Sequence, residues 1–310
     1  MNFSNKTPFR LFTSLLLFPL LLSSLHLKSS AQTENEDEIN VESSLVVLNA
    51  SITDKIGKTI YGLKKTDFKI FEDGREQTLE FFEAQESPFA AVILIDTSGS
   101  MEQRVSLARS AAINFLDGLR VDDKVAIYNF ESKVSMVQDF SNTRDITEKV
   151  FDLKANGMTV LNDAIYRAAL ELEKRPEKRR AIIVLSDGAD TQSGRSASTA
   201  LKAALRAHAT IYTVDMSEVG GGGNNRLQNR GVLKNFAEKT GGKFVSTPGG
   251  IELRNTFINI VEELGNQYTF GYEPQNVKND GKWHSIEVKV SRPNLNIRTR
   301  EGYNAQKKSN

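Results

Sequence analysis

The sequence predicts an α/β protein in which a doubly wound, mainly parallel sheet is inserted between two β segments that form a small β-sandwich domain. Three observations lead there. Short apolar runs such as Ala90 to Ile95, Ala181 to Leu185 and Ile211 to Val214 alternate with stretches whose apolar residues recur every three or four positions, as buried strands covered by amphipathic helices do. Both flanks switch to period two, the mark of half-buried strands. Each flank is too small to hold a core comfortably, whereas the termini of a compact domain often lie close enough to pair.

Along the chain, residues 1–31 read as an export signal. Lys6 and Arg10 give a positive start, Leu11 to Leu22 is an apolar run broken by Pro19, and Ser29-Ser30-Ala31 offers small residues for cleavage. The run falls short of the roughly 20 apolar residues that span a bilayer, although Leu25 and Leu27 lengthen it enough to keep a retained membrane anchor as the rival reading. Removing 1–31 takes away three cations and no acids, leaving 37 Lys and Arg against 39 Asp and Glu, a net charge of −2. The expected location is periplasmic or secreted. Residues 32–43 form an acidic, flexible linker.

The first β segment, 44–87, contains the alternation Val46, Leu48, Ala50, Ile52 and a hairpin at Asp73-Gly74, a dipeptide that tolerates positive φ. Ser87-Pro88 closes it. The α/β domain, 88–265, opens with Ala90 to Ile95 and a helix bearing Val105, Ala108, Ala112, Phe115 and Leu119. Strands at Lys124 to Phe130 and Val134 to Phe140 follow, then helical Thr143 to Leu153 and a helix with Leu161, Ile165, Ala168 and Leu172. Beyond Ala181 to Leu185 come a helix with Ala197, Leu201, Ala204 and His208, the strand Ile211 to Val214, and helices at Val232 to Lys239 and Ile251 to Leu264 around a short strand, Lys243 to Val245. In 266–304, Tyr268, Phe270 and Tyr272 share one face and Ile286, Val288 and Val290 another, with a turn at Asp280-Gly281. Residues 305–310 are a tail.

Composition excludes several function classes. The 310 residues, 39% of them hydrophobic, are not a disordered chain, and 40 Lys and Arg against 39 Asp and Glu leave no basic field for nucleic acid. The absence of cysteine removes disulfides, thiolate metal sites and cysteine nucleophiles. His26, His208 and His284 are too few and too scattered for a zinc cluster.

The chemistry gathers at strand ends. Asp96-Thr97-Ser98-Gly99-Ser100 ends the first α/β strand, and Ser186-Asp187-Gly188 ends the run Ala181 to Leu185. In the common doubly wound order these strands are neighbours where strand order reverses, and open α/β sheets bind ligands there. Thr159, in the loop before the second helix, adds a further hydroxyl. An all-oxygen set suits a hard cation, Mg²⁺ first, with Mn²⁺ or Ca²⁺ as substitutes. Asp96, Ser98, Ser100, Thr159 and Asp187 supply up to five of about six positions, so one stays open.

These residues resemble the Asp-x-Ser-x-Ser signature of the metal-ion-dependent adhesion site in von Willebrand factor type A domains. Thr159 and Asp187 match that family's downstream threonine and aspartate in kind, order and strand-end context. The likeness runs from Phe89 to the vicinity of Gly265, with Met158 standing where the family usually has a second glycine. The flanks, including Glu72-Asp73-Gly74-Arg75, Asp280-Gly281-Lys282-Trp283-His284 and Arg300-Glu301-Gly302-Tyr303, are similar to von Willebrand A-related proteins of an acidobacterial type. The resemblance implies direct metal contacts from Ser98 and Ser100. It implies contacts from Thr159 and the aspartates that are direct or water-mediated according to conformational state, and in some members a coupled movement of the last helix.

The expected function is therefore non-enzymatic: Mg²⁺-dependent capture of a protein partner's Asp or Glu. No nucleic acid, small-molecule cofactor or catalytic residue is expected, and a membrane is involved only if the signal is retained. Two rivals stand beside it, a metal-dependent hydrolase of a phosphate or ester and a scaffold whose metal is purely structural. Other features have plainer readings. Asp96 alone would be a helix cap, His208 a packed or rim histidine, His284 part of a polar turn and strand start, and Trp283 a β-domain core residue. Lys174, Arg175, Lys178, Arg179 and Arg180 read as a solvated helix end and loop. Gly220 to Gly223 is a connection whose neighbours Asp215, Glu218, Asn224 and Asn225 could shape a rim around the metal.

Overall fold

A computed structural model of the chain describes residues 45–143, 148–217, 224–246, 250–275 and 280–305. The expected signal and linker, Gly220 to Gly223 and Glu218 lie outside the described residues. The β segment before the insertion contains β1 (Val46–Thr53), β2 (Phe68–Glu72), β3 (Arg75–Gln77) and β4 (Leu79–Glu83). The α/β region follows as β5 (Phe89–Asp96), α1 (Val105–Asp117), β6 (Lys124–Phe130), β7 (Val134–Ser141), α2 (Glu148–Phe151), α3 (Leu161–Glu173) and β8 (Arg179–Ser186). It continues through α4 (Ala197–Arg206), β9 (Ala209–Asp215), α5 (Asn224–Thr240), β10 (Phe244–Ser246) and α6 (Gly250–Gly265). The closing β segment holds β11 (Tyr268–Tyr272), β12 (Trp283–Val290), β13 (Asn296–Arg298) and β14 (Gly302–Asn304).

The six-stranded sheet runs β10-β9-β8-β5-β6-β7, parallel except for the edge strand β7. Every residue of β5 is buried, because its two faces feed two cores. Phe89, Ala91, Ile93 and Ile95 pack with residues of α1 and α6, while Ala90, Val92 and Leu94 pack with residues of α3, α4 and α5. This is why the strand reads as a continuous apolar run.

The flanking segments build two four-stranded sheets, β13-β1-β11-β4 and β14-β12-β2-β3. Each sheet mixes strands from both ends of the chain: Leu48 lies opposite Phe270, and Ile70 opposite Val288. Their inner faces share one core that includes Leu48, Ile52, Phe68, Ile70 and Phe270, with the Phe68 and Phe270 rings 4.8 Å apart, edge to face.

Several local readings are corrected. Trp283 is 42% exposed, not core, because β12 alternates strictly and turns His284, Ile286 and Val288 inward. His284 is consequently buried. Arg179 is fully buried rather than solvated, and Arg180 donates to the backbone carbonyls of Glu177 and Ala207. Helix α4 ends before His208, whose φ of 53° takes the chain out of the helix. The helix expected over Thr143 to Leu153 is described as α2 alone, with 144–147 outside the described residues. Among the described residues no helix is long and apolar enough to cross a membrane.

Candidate metal centre

Parallel pairing of β5 with β8 sets Ile95 beside Leu185, so Asp96 and Ser186 leave the sheet at the same edge. Asp96 is fully buried. Its Oδ1 accepts from the Ser98 backbone N–H at 2.9 Å, and its Oδ2 accepts from Ser186 Oγ at 2.5 Å. Burial pushes the Asp96 carboxyl up to about 6. The hydrogen bonds from Ser186 and Ser98 oppose that rise, and the nearby Asp187 charge adds to it. Asp96 is not the cap of α1, whose N-cap residue is Arg104.

A single 3₁₀ turn, Gly99–Met101, follows Asp96 and carries Ser100. Ser98 Oγ and Ser100 Oγ lie 3.1 Å apart. Adjacent ligands of an octahedral ion with bonds of about 2.1 Å stand about 3 Å apart. The two hydroxyls therefore fit neighbouring positions on a hard cation, and the donor set is oxygen throughout.

The Thr159 loop is bound to that turn by backbone contacts: Gly99 N–H donates to Gly157 O at 3.2 Å and Asn156 N–H to Thr97 O at 2.8 Å. Gly157 has φ 75°, and a Cβ there would meet Ser132 Oγ at 2.5 Å, so only glycine suits the position. Met158, the departure from the family pattern, is 51% exposed and is not among the positive-φ residues, so it occupies its place without a strained backbone. Thr159 is buried. Its N–H donates to Thr191 Oγ1 at 2.9 Å, and its carbonyl accepts from the N–H groups of Thr191 and Gln192. The loop after Asp187 is thereby laced to the start of α3, where Asp190 Oδ2 also accepts from Asn162 N–H at 2.7 Å. Asp187 is half-buried, and its Oδ1 accepts from Ala189 N–H at 3.0 Å.

Asp96, Ser98, Ser100, Thr159 and Asp187 thus sit on three loops tied together at one edge of the sheet. Sequence reasoning missed the parts played by Ser186, Asp190 and Thr191. Ser186 was visible in Ser186-Asp187-Gly188, but its partner becomes evident only once β5 and β8 are adjacent. Asp215, expected at the rim, is only 2% exposed and pairs with Arg230 at 3.1 Å.

Residues 91–189 match the von Willebrand factor type A domain family. This chain carries a von Willebrand factor type A domain. All five candidate ligands fall inside the matched stretch. An uncharacterized protein of Synechocystis sp. is 26% identical over 184 residues, covering 58% of this chain and 42% of that protein. Inter-alpha-trypsin inhibitor heavy chain H3 of Bos taurus is 29% identical over 122 residues, covering 35% of this chain and 14% of that protein. The chain therefore spans less than half the length of either relative. Among solved structures, a von Willebrand factor type A protein from Catenulispora acidiphila aligns with a TM-score of 0.49 at 15% identity, over 78% of this chain and 74% of that one. The matched stretch holds most of β5, all of α1 to β8 and the Asp187 turn, whereas α4 to α6 and the sandwich strands lie outside residues 91–189.

Proposed function

We propose that this von Willebrand factor type A domain is a protein-binding module, in which Asp96, Ser98, Ser100, Thr159 and Asp187 hold Mg²⁺ and leave a position for a partner's Asp or Glu. The observation that carries the reading is the Ser98 and Ser100 hydroxyl pair, 3.1 Å apart, beside a buried Asp96. The bound ion would supply Lewis acidity toward an incoming carboxylate. Both Asp96 oxygens accept hydrogen bonds, from Ser98 and Ser186, which would fix the carboxylate beside the ion as a source of negative charge. The hydroxyls are neutral donors and do not quench the ion, which stays attractive to an outside anion. The apolar run and small residues of 1–31 support placing this module outside the cytoplasm.

Calorimetric titration of the full chain with Mg²⁺ is expected to show binding that Asp96→Ala abolishes while the far-UV circular dichroism is kept. Capture from the native exported fraction should need Mg²⁺, reverse with chelator and fail in Ser98→Ala. Equal Mg²⁺ binding by Asp96→Ala and the parent would overturn the reading. Phosphoester turnover lost in Asp187→Ala would replace it with a metal-dependent hydrolase.

A further inference from the structure

The sandwich carries a second cluster, built from different residues. Strand β2 ends at Glu72, Asp73 opens the hairpin turn, and His284 lies on β12. Pairing of β2 with β12 sets Ile286 opposite Glu72, so these side chains meet although Asp73 and His284 are 211 positions apart. His284 Nδ1 lies 2.9 Å from Asp73 Oδ2 and 3.2 Å from Glu72 Oε1. One ligand atom from each of the three residues falls within 4.8 Å of the others. The other ring nitrogen, Nε2, faces Asp280 Oδ1 at 3.6 Å. Among the described residues Nε2 is buried without a hydrogen-bond partner, on a side chain only 6% exposed.

A neutral imidazole has one N–H. Placed on Nδ1, the proton serves Asp73 and Glu72 but leaves Nε2 as a buried lone pair directed at a third carboxylate, an arrangement that costs desolvation and repulsion. Placed on Nε2, the proton faces Asp280, but Nδ1, Asp73 Oδ2 and Glu72 Oε1 then converge as acceptors, with Tyr303 OH donating to Glu72 Oε1 at 3.2 Å. An imidazolium, with both ring nitrogens donating, resolves both problems, and so does a divalent cation. The cation takes Nδ1, Glu72 Oε1 and Asp73 Oδ2 as ligands, and Nε2–H turns to Asp280 in the carboxylate–histidine–metal pattern. Bonds of about 2.0–2.1 Å put neighbouring ligands about 2.9–3.4 Å apart in octahedral or tetrahedral sets, close to the two separations observed here.

The far oxygens of both carboxylates are already held, which aims the near ones. Tyr272 OH donates to Glu72 Oε2 at 2.6 Å, and Ser285 N–H donates to Asp73 Oδ1 at 2.9 Å. The Asp73 side chain is 46% exposed, giving an ion a way in. One imidazole with two carboxylates suits Zn²⁺ better than Mg²⁺ or Ca²⁺.

We propose that Glu72, Asp73 and His284 form a second metal site, for a divalent ion of the Zn²⁺ class, oriented by Asp280, Tyr272 and Ser285. It would fasten the N-terminal β segment to the C-terminal one in a chain that has no cysteine to do so.

Zn²⁺ is the probe. In the full chain carrying Asp96→Ala, which silences the site at the sheet edge, a single equivalent is expected to bind. Adding His284→Gln or Asp73→Asn should weaken that binding by about tenfold or more. Because His284→Gln could also disturb folding, long-range proton–nitrogen spectra of the unaltered chain give a second readout. On Zn²⁺ addition His284 Nδ1 should take a metal-bound shift while Nε2 keeps a proton. The proposal is overturned if the His284 ring responds to acid but not to saturating Zn²⁺, in which case the cluster holds an imidazolium. Unchanged stoichiometry and affinity in both ligand variants would overturn it equally.

Discussion

Each oxygen of the Asp96 carboxylate meets its own donor, one from Ser98 two residues on and one from Ser186 ninety residues on. The first contact is written into Asp-x-Ser, since a carboxylate at such a turn reaches the N–H two positions ahead. The second depends on β8 lying beside β5, which no local spacing states. His208 raises the same issue. It sits at φ 53° after α4, with its Nδ1 3.1 Å from Arg300 Nη1. Burial, with the charges of Arg300 and Arg180, lowers its pKa from 6.5 to about 3. The native state thus holds His208 neutral while the unfolded chain takes up a proton near its ordinary value. This contribution to stability is complete above pH 6.5 and drains away as pH falls toward 3. His208→Asn tolerates the same backbone and does not titrate. The loss of unfolding free energy between pH 7 and pH 4, read from urea melts, should shrink by up to about 3 kcal/mol in that variant.

At the scale of elements, periodicity located the longer strands and helices but not the short β13 and β14, and the other misreadings come from side assignments and ends. Once Ile286 and Val288 are placed inward, the two-residue pleat turns His284 inward and Trp283 outward, so that correction was available in the sequence. The buried role of Arg179 was not, because a basic residue at the start of an apolar strand looks the same as one in a solvated loop. Turns between elements also bear on the proposed site. Gly188, next to Asp187, has φ 81°, and a Cβ there would lie 2.6 Å from the Asn229 carbonyl of α5. Gly188→Ala should cost at least about 1–2 kcal/mol from the left-handed backbone alone. It should also lower Mg²⁺ affinity without removing any ligand, because strand β8 and helix α5 must part to admit the methyl. Calorimetry and urea melts on the same variant check both outcomes.

For the whole molecule, the decisive positions are those where the chain passes between sandwich and α/β sheet. Arg179 occupies both crossings at once. It donates to Gln85 O at 2.7 Å and to Ser87 O before β5, and to Gly265 O and Thr269 Oγ1 where α6 gives way to β11. Burial draws its guanidinium down to about 10, still charged at neutral pH. Arg179→Met should destabilise the chain by about 3–5 kcal/mol, since it leaves buried carbonyls unpaired. Arg179→Lys should recover little, because an ammonium lacks the planar fork that reaches several acceptors. Urea unfolding midpoints of the two variants against the parent provide the measurement.

The sequence by itself determined the α/β class, the β character of both flanks and the oxygen-rich turn at Asp96 to Ser100. Those features arise from interactions within a turn or a pleat, where side-chain chemistry and spacing act over a few residues. Only the tertiary structure decided that Ser186 holds Asp96, that Arg179 is buried at both crossings, and that His284 meets Glu72 and Asp73. Each of these joins residues about 90 or more positions apart, and their meeting is selected by the packing of whole sheets rather than by any local preference.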